Sequence, residues 1–98
     1  MREIKVIARI YSLRPKADLA LAARDELRAL AAVVGACPGC VDAQALVDAG
    51  DGGRLVFIER WASQDAYDGA KSHLPPNAFA GLGKTLAAPP EVTVLEGL

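Results

Sequence analysis

The stretch that decides the fold is Leu55-Val56-Phe57-Ile58-Glu59-Arg60-Trp61-Ala62-Ser63. A continuous apolar run of this length that ends in Glu-Arg-Trp predicts a buried β-strand, and Ser63 predicts that a helix begins directly after it. Leu55 and Phe57 point to one side of the strand. Val56 and Ile58 point to the other side, so both faces of the sheet that contains this strand are expected to be covered.

The chain begins with another predicted strand, and both of its sides are partly apolar. One side carries Ile4, Val6, Ala8 and Ile10, and the second side carries Glu3, Lys5, Ile7, Arg9 and Tyr11. This alternation has the period of a β-strand. Because Ile7 and Tyr11 stand on the second side, we expect that side to lie away from the chain's own helices and to need another cover.

A helix is predicted between these strands, from near Ala17 to near Val34. Its apolar residues recur at helical spacing: Leu19, Ala23, Leu27, Leu30, Ala31 and Val34. Asp18 is the predicted N-cap, and Gly35 is the predicted left-handed cap at the other end. Pro38-Gly39 then turns the chain into a strand from Cys40 to Val47. Residues 48–53 are the predicted hairpin loop before a strand from Arg54 to Trp61.

The last third of the chain predicts a broken helical segment and a final strand. A short helix is expected from Ser63 to about Lys71, interrupted by residues 74–77 and followed by a helical piece with Phe79, Leu82 and Leu86. The final strand is expected from Glu91 to Glu96. The order βαββαβ predicts one α+β domain over residues 1–98, with a ferredoxin-like four-stranded antiparallel sheet and its helices on one face. A second copy covering the other face would give a homodimeric α/β barrel.

Composition excludes several classes of partner. The net charge of -1 leaves no basic stripe for a phosphate backbone, so nucleic acid is not an expected partner. No apolar run approaches the roughly 20 residues that cross a bilayer, so no membrane partner is expected. The N-terminus lacks a charged region followed by an apolar stretch, which predicts a cytoplasmic protein.

Three motifs resemble those of the antibiotic biosynthesis monooxygenase family: residues 55–63, Pro38-Gly39-Cys40, and Pro89-Pro90-Glu91-Val92-Thr93-Val94-Leu95. The resemblance implies a small dimeric α/β barrel. The family includes oxygenases that act on quinols or polycyclic phenols without metal or flavin. It also includes haem degraders that carry a Trp where this chain has Tyr67-Asp68-Gly69-Ala70.

We therefore predict a monooxygenase that needs no cofactor and uses oxygen on a quinol or another aromatic hydroxyl compound. In this chemistry the substrate is the reductant, and a hydrogen bond or a general base favours its phenolate in a dry pocket. The alternative from a different class is a non-catalytic protein that binds a small molecule in the same dimeric barrel.

The candidate catalytic residues are His73 and Trp61. His73 is the only histidine, the residue type that most often serves as a general base near neutral pH. The family's histidine would fall at Ala70, and His73 can equally be a surface residue. Trp61 is expected to pack an aromatic substrate, because indole N–H is a donor only. The candidate substrate-binding residues are Tyr11, Arg9, Phe57, Glu59, Tyr67 and Phe79. Glu59 and Arg60 can alternatively be ion-paired and structural.

The motif Cys37-Pro38-Gly39-Cys40 invites interpretation as a redox dithiol. Its predicted position argues against that function, because the pair follows a helix C-terminus, where the dipole does not stabilise a thiolate. One histidine and two adjacent cysteines also leave a tetrahedral zinc site one ligand short. We expect neither a redox pair nor a metal site.

Overall fold

The computed structural model describes residues 5–98. Its elements are β1 (Ile7–Leu13), α1 (Ala20–Gly35), β2 (Cys40–Asp48), β3 (Asp51–Trp61), α2 (Gln64–Ala70), α3 (Ala80–Gly83) and β4 (Glu91–Glu96). Short 3-10 turns span Ala17–Leu19 and Lys71–His73. Glu3 and Ile4, which the sequence assigned to the first strand, lie outside the described residues. Within those residues, no helix has the length and apolar character to cross a membrane.

The strands form one antiparallel sheet in the order β2-β3-β1-β4. This order, with the helices between β1 and β2 and between β3 and β4, confirms the ferredoxin-like α+β fold. In the central pair, Arg9 of β1 lies opposite Glu59 of β3, and Tyr11 lies opposite Phe57. This register brings the polar residues of two distant segments to the same place on the sheet.

The core lies between the sheet and the helices. Strand β3 contributes alternate residues, and α1 contributes residues three or four apart, as expected for a strand and a helix that each bury one side. The buried apolar side chains from these elements and from β1 are Ile7, Leu13, Ala23, Leu27, Leu30, Val34, Leu55, Phe57 and Trp61.

The prediction for the two sides of β1 was wrong. Ile7 is only 4% exposed, and the side of β1 that it shares with Arg9 and Tyr11 packs beneath the helices. The uncovered face carries Ala8 and Ile10. Because both sides of this strand are apolar, the alternation of residue types could not decide which one the helices cover.

The caps of α1 also differ from the prediction. Asp18 lies inside the 3-10 turn. Lys16 precedes this turn and Leu19 precedes α1, and neither makes a side-chain cap hydrogen bond. Gly35 is the last residue of α1, and the next residue is right-handed. The described glycine with a positive φ, +82°, is Gly39. The predicted cap at Ser63 is confirmed, because its Oγ accepts a hydrogen bond from the Ala66 N–H at 3.1 Å.

The hairpin between β2 and β3 is tighter than the predicted loop of six residues. Asp48 pairs with Asp51, so only Ala49 and Gly50 connect the strands and β3 begins at Asp51 instead of Arg54. The Asp48 carboxylate accepts a hydrogen bond from the Gly50 N–H at 2.8 Å and stabilises this turn.

The third helical piece is shorter than expected. Helix α3 ends at Gly83, before Leu86.

Gly39 lies in the turn that leads into β2, and it allows this turn to pack closely against the start of α2. Its carbonyl accepts the Ala62 N–H at 2.8 Å, and a methyl group on Gly39 would lie 2.5 Å from the Cβ of Ala66. The Pro38-Gly39-Cys40 motif therefore has a structural function: it permits the close approach of the turn to α2.

We expect Gly39→Ala to lower the free energy of unfolding by about 2 kcal/mol or more. The positive φ alone costs roughly 1–2 kcal/mol for a residue with a side chain, and the contact with Ala66 adds to it. Urea denaturation measures the change. Gly69→Ala is the matched control, because a Cβ at Gly69 meets nothing within 4 Å and alanine favours a helix. Equal stabilities of the two variants would contradict this account of the turn.

Candidate functional site

The candidate site is a polar cluster between the sheet and α2, formed by Arg9, Tyr11, Glu59, Trp61 and Tyr67. We call it the Glu59 cluster. Glu59 and Trp61 are two residues apart on β3 and therefore share a face, as do Arg9 and Tyr11 on β1. Glu59 is 2% exposed, a buried carboxylate that lies between the buried apolar residues Phe57 and Trp61 on one side of β3.

Three side chains converge on one oxygen of Glu59. The Tyr11 hydroxyl donates to Oε1 at 2.8 Å, and the Trp61 Nε1–H donates to the same oxygen at 3.2 Å. The Arg9 Nε lies 3.6 Å from Oε1 and donates to the Tyr11 hydroxyl oxygen at 2.9 Å. A buried carboxylate costs several kcal/mol unless it is paired and hydrogen-bonded, so these contacts make the burial of Glu59 possible.

Helix α2 closes the cluster with Tyr67. The Arg9 guanidinium carbon lies 4.3 Å from the centre of the Tyr67 ring, and the Trp61 and Tyr67 rings meet edge to face at 5.7 Å. Ser63 caps α2 immediately after β3, and the Tyr67 N–H donates to the Ser63 carbonyl at 3.2 Å, which places Tyr67 in the first turn of the helix. Arg9 retains 19% side-chain exposure, whereas Glu59 and Trp61 are almost fully buried.

Burial raises the pKa of the Tyr11 phenol well above its ordinary value, and the charge of Glu59 adds to this effect although the hydrogen bond from Arg9 opposes it. Burial by itself lowers the pKa of Arg9, but the hydrogen bond with Tyr11 and the nearby charges raise it by more. Tyr11 is therefore a hydrogen-bond donor, and Arg9 a cation, throughout the neutral pH range.

This arrangement has the parts needed to bind and deprotonate a hydroxyl group. Within residues 5–98, the side-chain hydrogen bonds that Glu59 accepts all end on Oε1, which leaves Oε2 as the acceptor for a ligand. Arg9 supplies positive charge beside it, and the Trp61 and Tyr67 rings pack around the cluster.

The sequence proposed eight site residues, and the structure brings five of them together in the Glu59 cluster. Phe57 lies beside it in the core, with its ring centre 5.7 Å from that of Tyr11. Phe79 is 50% exposed at the start of α3. His73 is exposed in the turn Lys71–His73 and lines a shallow groove with Cys37, Pro38 and Pro75. Among the hydrogen bonds of the described residues, none joins His73 to the Glu59 cluster.

Sequence reasoning missed the central position of Glu59. Glu59 and Arg60 do form ion pairs, but with other partners, because neighbouring strand residues face opposite sides. Glu59 pairs with Arg9, whereas Arg60 pairs with Asp42 at 3.0 Å. The sequence did contain a signal. Glu59 shares one side of its strand with Leu55, Phe57 and Trp61, and Arg9 shares one side of β1 with Ile7 and Tyr11.

Both thiols of the Cys37-Pro38-Gly39-Cys40 motif are free and poorly activated. Burial raises the pKa of the Cys37 thiol, and burial together with the charge of Glu59 raises the pKa of Cys40 to about 11. The Cys37 Sγ donates to the Val33 carbonyl at 3.6 Å, and the Cys40 Sγ donates to the Asp42 carbonyl at 3.4 Å. Residues 5–98 contain no cluster of three or more potential metal ligands.

We expect iodoacetamide to label both cysteines of the folded protein at pH 8 on the order of 100-fold more slowly than free cysteine, because only the thiolate reacts. Mass spectrometry over time measures the rate. The same protein in denaturant is the control and should react at the ordinary rate. Rapid labelling of the folded protein would show that one thiol is activated and would revive the redox interpretation.

The comparisons with known proteins agree with the fold and the motifs. The sequence pattern described as "Antibiotic biosynthesis monooxygenase" matches residues 4–78. The chain belongs to the antibiotic biosynthesis monooxygenase family. Among curated proteins, none matches the chain.

Solved structures give the same result over nearly the whole chain. The structure of Rv0793 from Mycobacterium tuberculosis is 33% identical, with a TM-score of 0.82 and 95% of each chain covered. A protein provisionally described as an antibiotic biosynthesis monooxygenase from Caulobacter crescentus is 26% identical, with a TM-score of 0.80, covering 97% of this chain and 92% of the other. A similarly described protein from Nitrosomonas europaea has a TM-score of 0.85 at 19% identity, covering 100% and 95% of the two chains, and shows the fold alone.

Proposed function

We propose that this protein is a cytoplasmic, cofactor-independent monooxygenase that acts on a quinol or another aromatic hydroxyl compound. The observation that carries the proposal is the buried Glu59 carboxylate, with Oε1 held by Tyr11 and Trp61 and with Arg9 beside it. The partly exposed Arg9 guanidinium beside this carboxylate supplies the positive charge that a bound phenolate needs.

Because Glu59 and Trp61 are almost fully buried, the proposed complex requires α2 to move away from β3 when the substrate binds. The substrate ring then stacks against Trp61 or Tyr67, and its hydroxyl donates to Oε2 of Glu59. Transfer of that proton to Glu59 gives a phenolate, whose negative charge Arg9 stabilises. The donors on Oε1 hold the carboxylate in place, so little reorganisation is needed when the proton moves. Such proton transfer contributes typically 10² to 10⁴-fold to a rate.

The electron-rich phenolate then supplies the electrons that reduce oxygen. The substrate loses its hydroxyl hydrogen and one ring hydrogen, and one atom of O₂ becomes a carbonyl oxygen on that ring carbon. The other oxygen atom leaves as water with the two hydrogens. The buried apolar side chains of Phe57 and Trp61 favour this step, because they keep bulk water away from the phenolate.

The catalytic assignment of His73 remains a prediction. His73 lies in the groove beside Cys37 and Pro38, so it would have to act on a ligand bound there or after movement of residues 71–76. The Glu59 cluster offers a proton acceptor that is already positioned. We therefore propose Glu59 as the base, with Trp61 packing the substrate.

The uncovered face of the sheet supports assembly as a homodimeric barrel. Ile10 lies opposite Ile58, and Val56 lies opposite Leu46, so these four side chains form a diagonal apolar patch from β1 to β2, bordered by Gln44 and Ser12. We expect a dimer that buries more than about 1,600 Å² in total through this face. Light scattering at low micromolar concentration should give the mass of two chains. A monomer mass would contradict this assembly, and Leu46→Glu is expected to produce that mass in the variant.

An oxygen electrode and a panel of quinols test the proposed activity. A monooxygenase consumes oxygen in proportion to the substrate converted, and boiled protein gives the background rate. The alternative function, ligand binding without chemistry, predicts a higher melting temperature with the same compounds and no oxygen uptake above background. That result would overturn the proposed activity while leaving the binding site in place.

A further inference from the structure

The segment that covers the Glu59 cluster is weakly embedded in the protein. It consists of α2 and the 3-10 turn that follows, residues 64–73, and we call it the α2 segment. Within this segment Ala70 is the buried side chain, and the whole turn is exposed. A helix of seven residues is not stable in isolation, so α2 depends on packing against the sheet.

The polar contacts of the α2 segment are local. The Gln64 side chain donates to the Asp68 carboxylate at 2.9 Å, and the Ser72 hydroxyl donates to the Gly69 carbonyl at 2.8 Å. Among the hydrogen bonds and ion pairs of residues 5–98, none joins the segment to the sheet or to α1. Side-chain packing, and not hydrogen bonding, therefore holds the segment against β3.

Tyr67 makes the packing contact over the cluster. Its ring lies 4.3 Å from the Arg9 guanidinium carbon and meets the Trp61 ring edge to face at 5.7 Å. The attraction between a cation and a ring face is modest. Arg9 keeps its hydrogen bond to Tyr11 and its ion pair with Glu59 when Tyr67 withdraws, since neither involves the Tyr67 ring. Withdrawal of Tyr67 therefore uncovers the carboxylate and leaves its cation in place.

The backbone at both ends of the α2 segment is extended. Ser63 has φ −163° and ψ 168°, and Leu74 has φ −98° and ψ 141°. Pro75 follows Leu74, is exposed, and has no N–H to donate. Residues at the ends of an element are those that absorb the changes in φ and ψ when a lid opens. Ser63 and Leu74 occupy such positions.

We propose that the α2 segment is the lid of the Glu59 cluster and that Tyr67 holds it closed. In the closed state the Tyr67 ring lies over Arg9 and against Trp61. In the open state the segment swings on its two extended ends, and Trp61 and Glu59 become accessible to a ligand. The identity of that ligand rests on the proposed function, whereas opening is a property of the protein without ligand and is measured in its absence.

Acrylamide quenching of fluorescence measures the opening, because Trp61 is the only tryptophan and contacts Tyr67. Tyr67→Leu keeps an apolar side chain without a ring face for Arg9. We expect it to raise the bimolecular quenching constant by about two- to fivefold, the effect of losing one exposed cation–π contact. Tyr67→Phe keeps the ring face and should quench like the unsubstituted protein.

Phe79→Leu is the matched control for this experiment, because Phe79 is a half-exposed aromatic residue outside the cluster. Its quenching constant should equal that of the unsubstituted protein. Equal constants for the Tyr67→Leu and Phe79→Leu variants would overturn the role of Tyr67. Equal constants for Tyr67→Leu and Tyr67→Phe would also contradict it, since the ring face would then have no effect.

Hydrogen exchange followed by mass spectrometry separates opening of the lid from a gap left by a smaller side chain. Because α2 is not stable away from the sheet, opening exposes its amides to exchange. In the unsubstituted protein we expect residues 67–70 to exchange about 100-fold or more faster than residues 27–34 of α1. Tyr67→Leu should accelerate exchange in the lid and leave α1 unchanged.

Equal protection of the lid and α1 in the unsubstituted protein would overturn the proposal, because the segment would then open only when the whole protein unfolds. This comparison decides the question even if Tyr67→Leu does not fold. The expected exchange pattern without oxygen uptake on any quinol would refute the proposed activity alone and leave the lid in place.

Discussion

Glu59→Gln is expected to lower the turnover of a quinol substrate by about 10² to 10⁴-fold, the usual contribution of a positioned base. The amide oxygen can still accept hydrogen bonds from Tyr11 and Trp61, so the cluster keeps its shape. The amide cannot take a proton from the substrate and has no charge opposite Arg9. Steady-state oxygen uptake measures the loss, and circular dichroism confirms that the variant is folded.

Two variants make this result specific. Asp42→Asn removes a carboxylate of similar type that pairs with Arg60 on the other face of the sheet, and it should leave turnover within a few fold. His73→Ala compares the two candidate bases directly. Full activity of Glu59→Gln together with a loss of about 100-fold in His73→Ala would reassign the base to His73 and refute the proposed role of Glu59.

Trp61→Ala is expected to lower the free energy of unfolding by about 3–5 kcal/mol, the range for removing a large buried aromatic side chain. Trp61 is 1% exposed, contacts Tyr67 edge to face, and donates to Glu59. Trp61→Phe keeps most of the aromatic volume and should lose less stability. Chemical denaturation followed by circular dichroism measures both changes.

The phenylalanine variant also separates packing from chemistry. Trp61→Phe should keep turnover within about tenfold, because the ring still packs a planar substrate while the indole N–H is lost. Val41→Ala, at a mostly exposed position of β2, is the control for stability and should change it by less than about 0.5 kcal/mol. Loss of turnover in Trp61→Phe with normal folding and ligand affinity would show that the N–H takes part in the chemistry.

Local patterns in the sequence were sufficient for most of the fold. The strand at residues 55–61 and the helix start at Ser63 depend on neighbouring residues, and both are present where they were expected. The tight hairpin was missed because Asp and Gly are typical of loops, whereas the pairing of Asp48 with Asp51 depends on the sheet. The left-handed glycine was misplaced for a similar reason, since the approach of Ala66 to Gly39 is a tertiary contact.

The candidate site was harder to predict because strand register assembles it. Arg9 and Glu59 are fifty residues apart, and only their pairing in the sheet places a guanidinium beside a buried carboxylate. The sequence instead directed attention to His73, since a lone histidine is conspicuous at neutral pH. Both sides of β1 are apolar, so the side facing the helices, and with it the site, could not be chosen from alternation.

The most direct test of the proposed activity is conversion of a quinol under ¹⁸O₂ by the unsubstituted protein and by Glu59→Gln. We expect one labelled oxygen in the product ring and one in water, with a rate that falls about 100-fold or more in the variant. Labelled hydrogen peroxide with no label in the ring would contradict monooxygenation. Equal rates of labelling by the two proteins would contradict the role of Glu59.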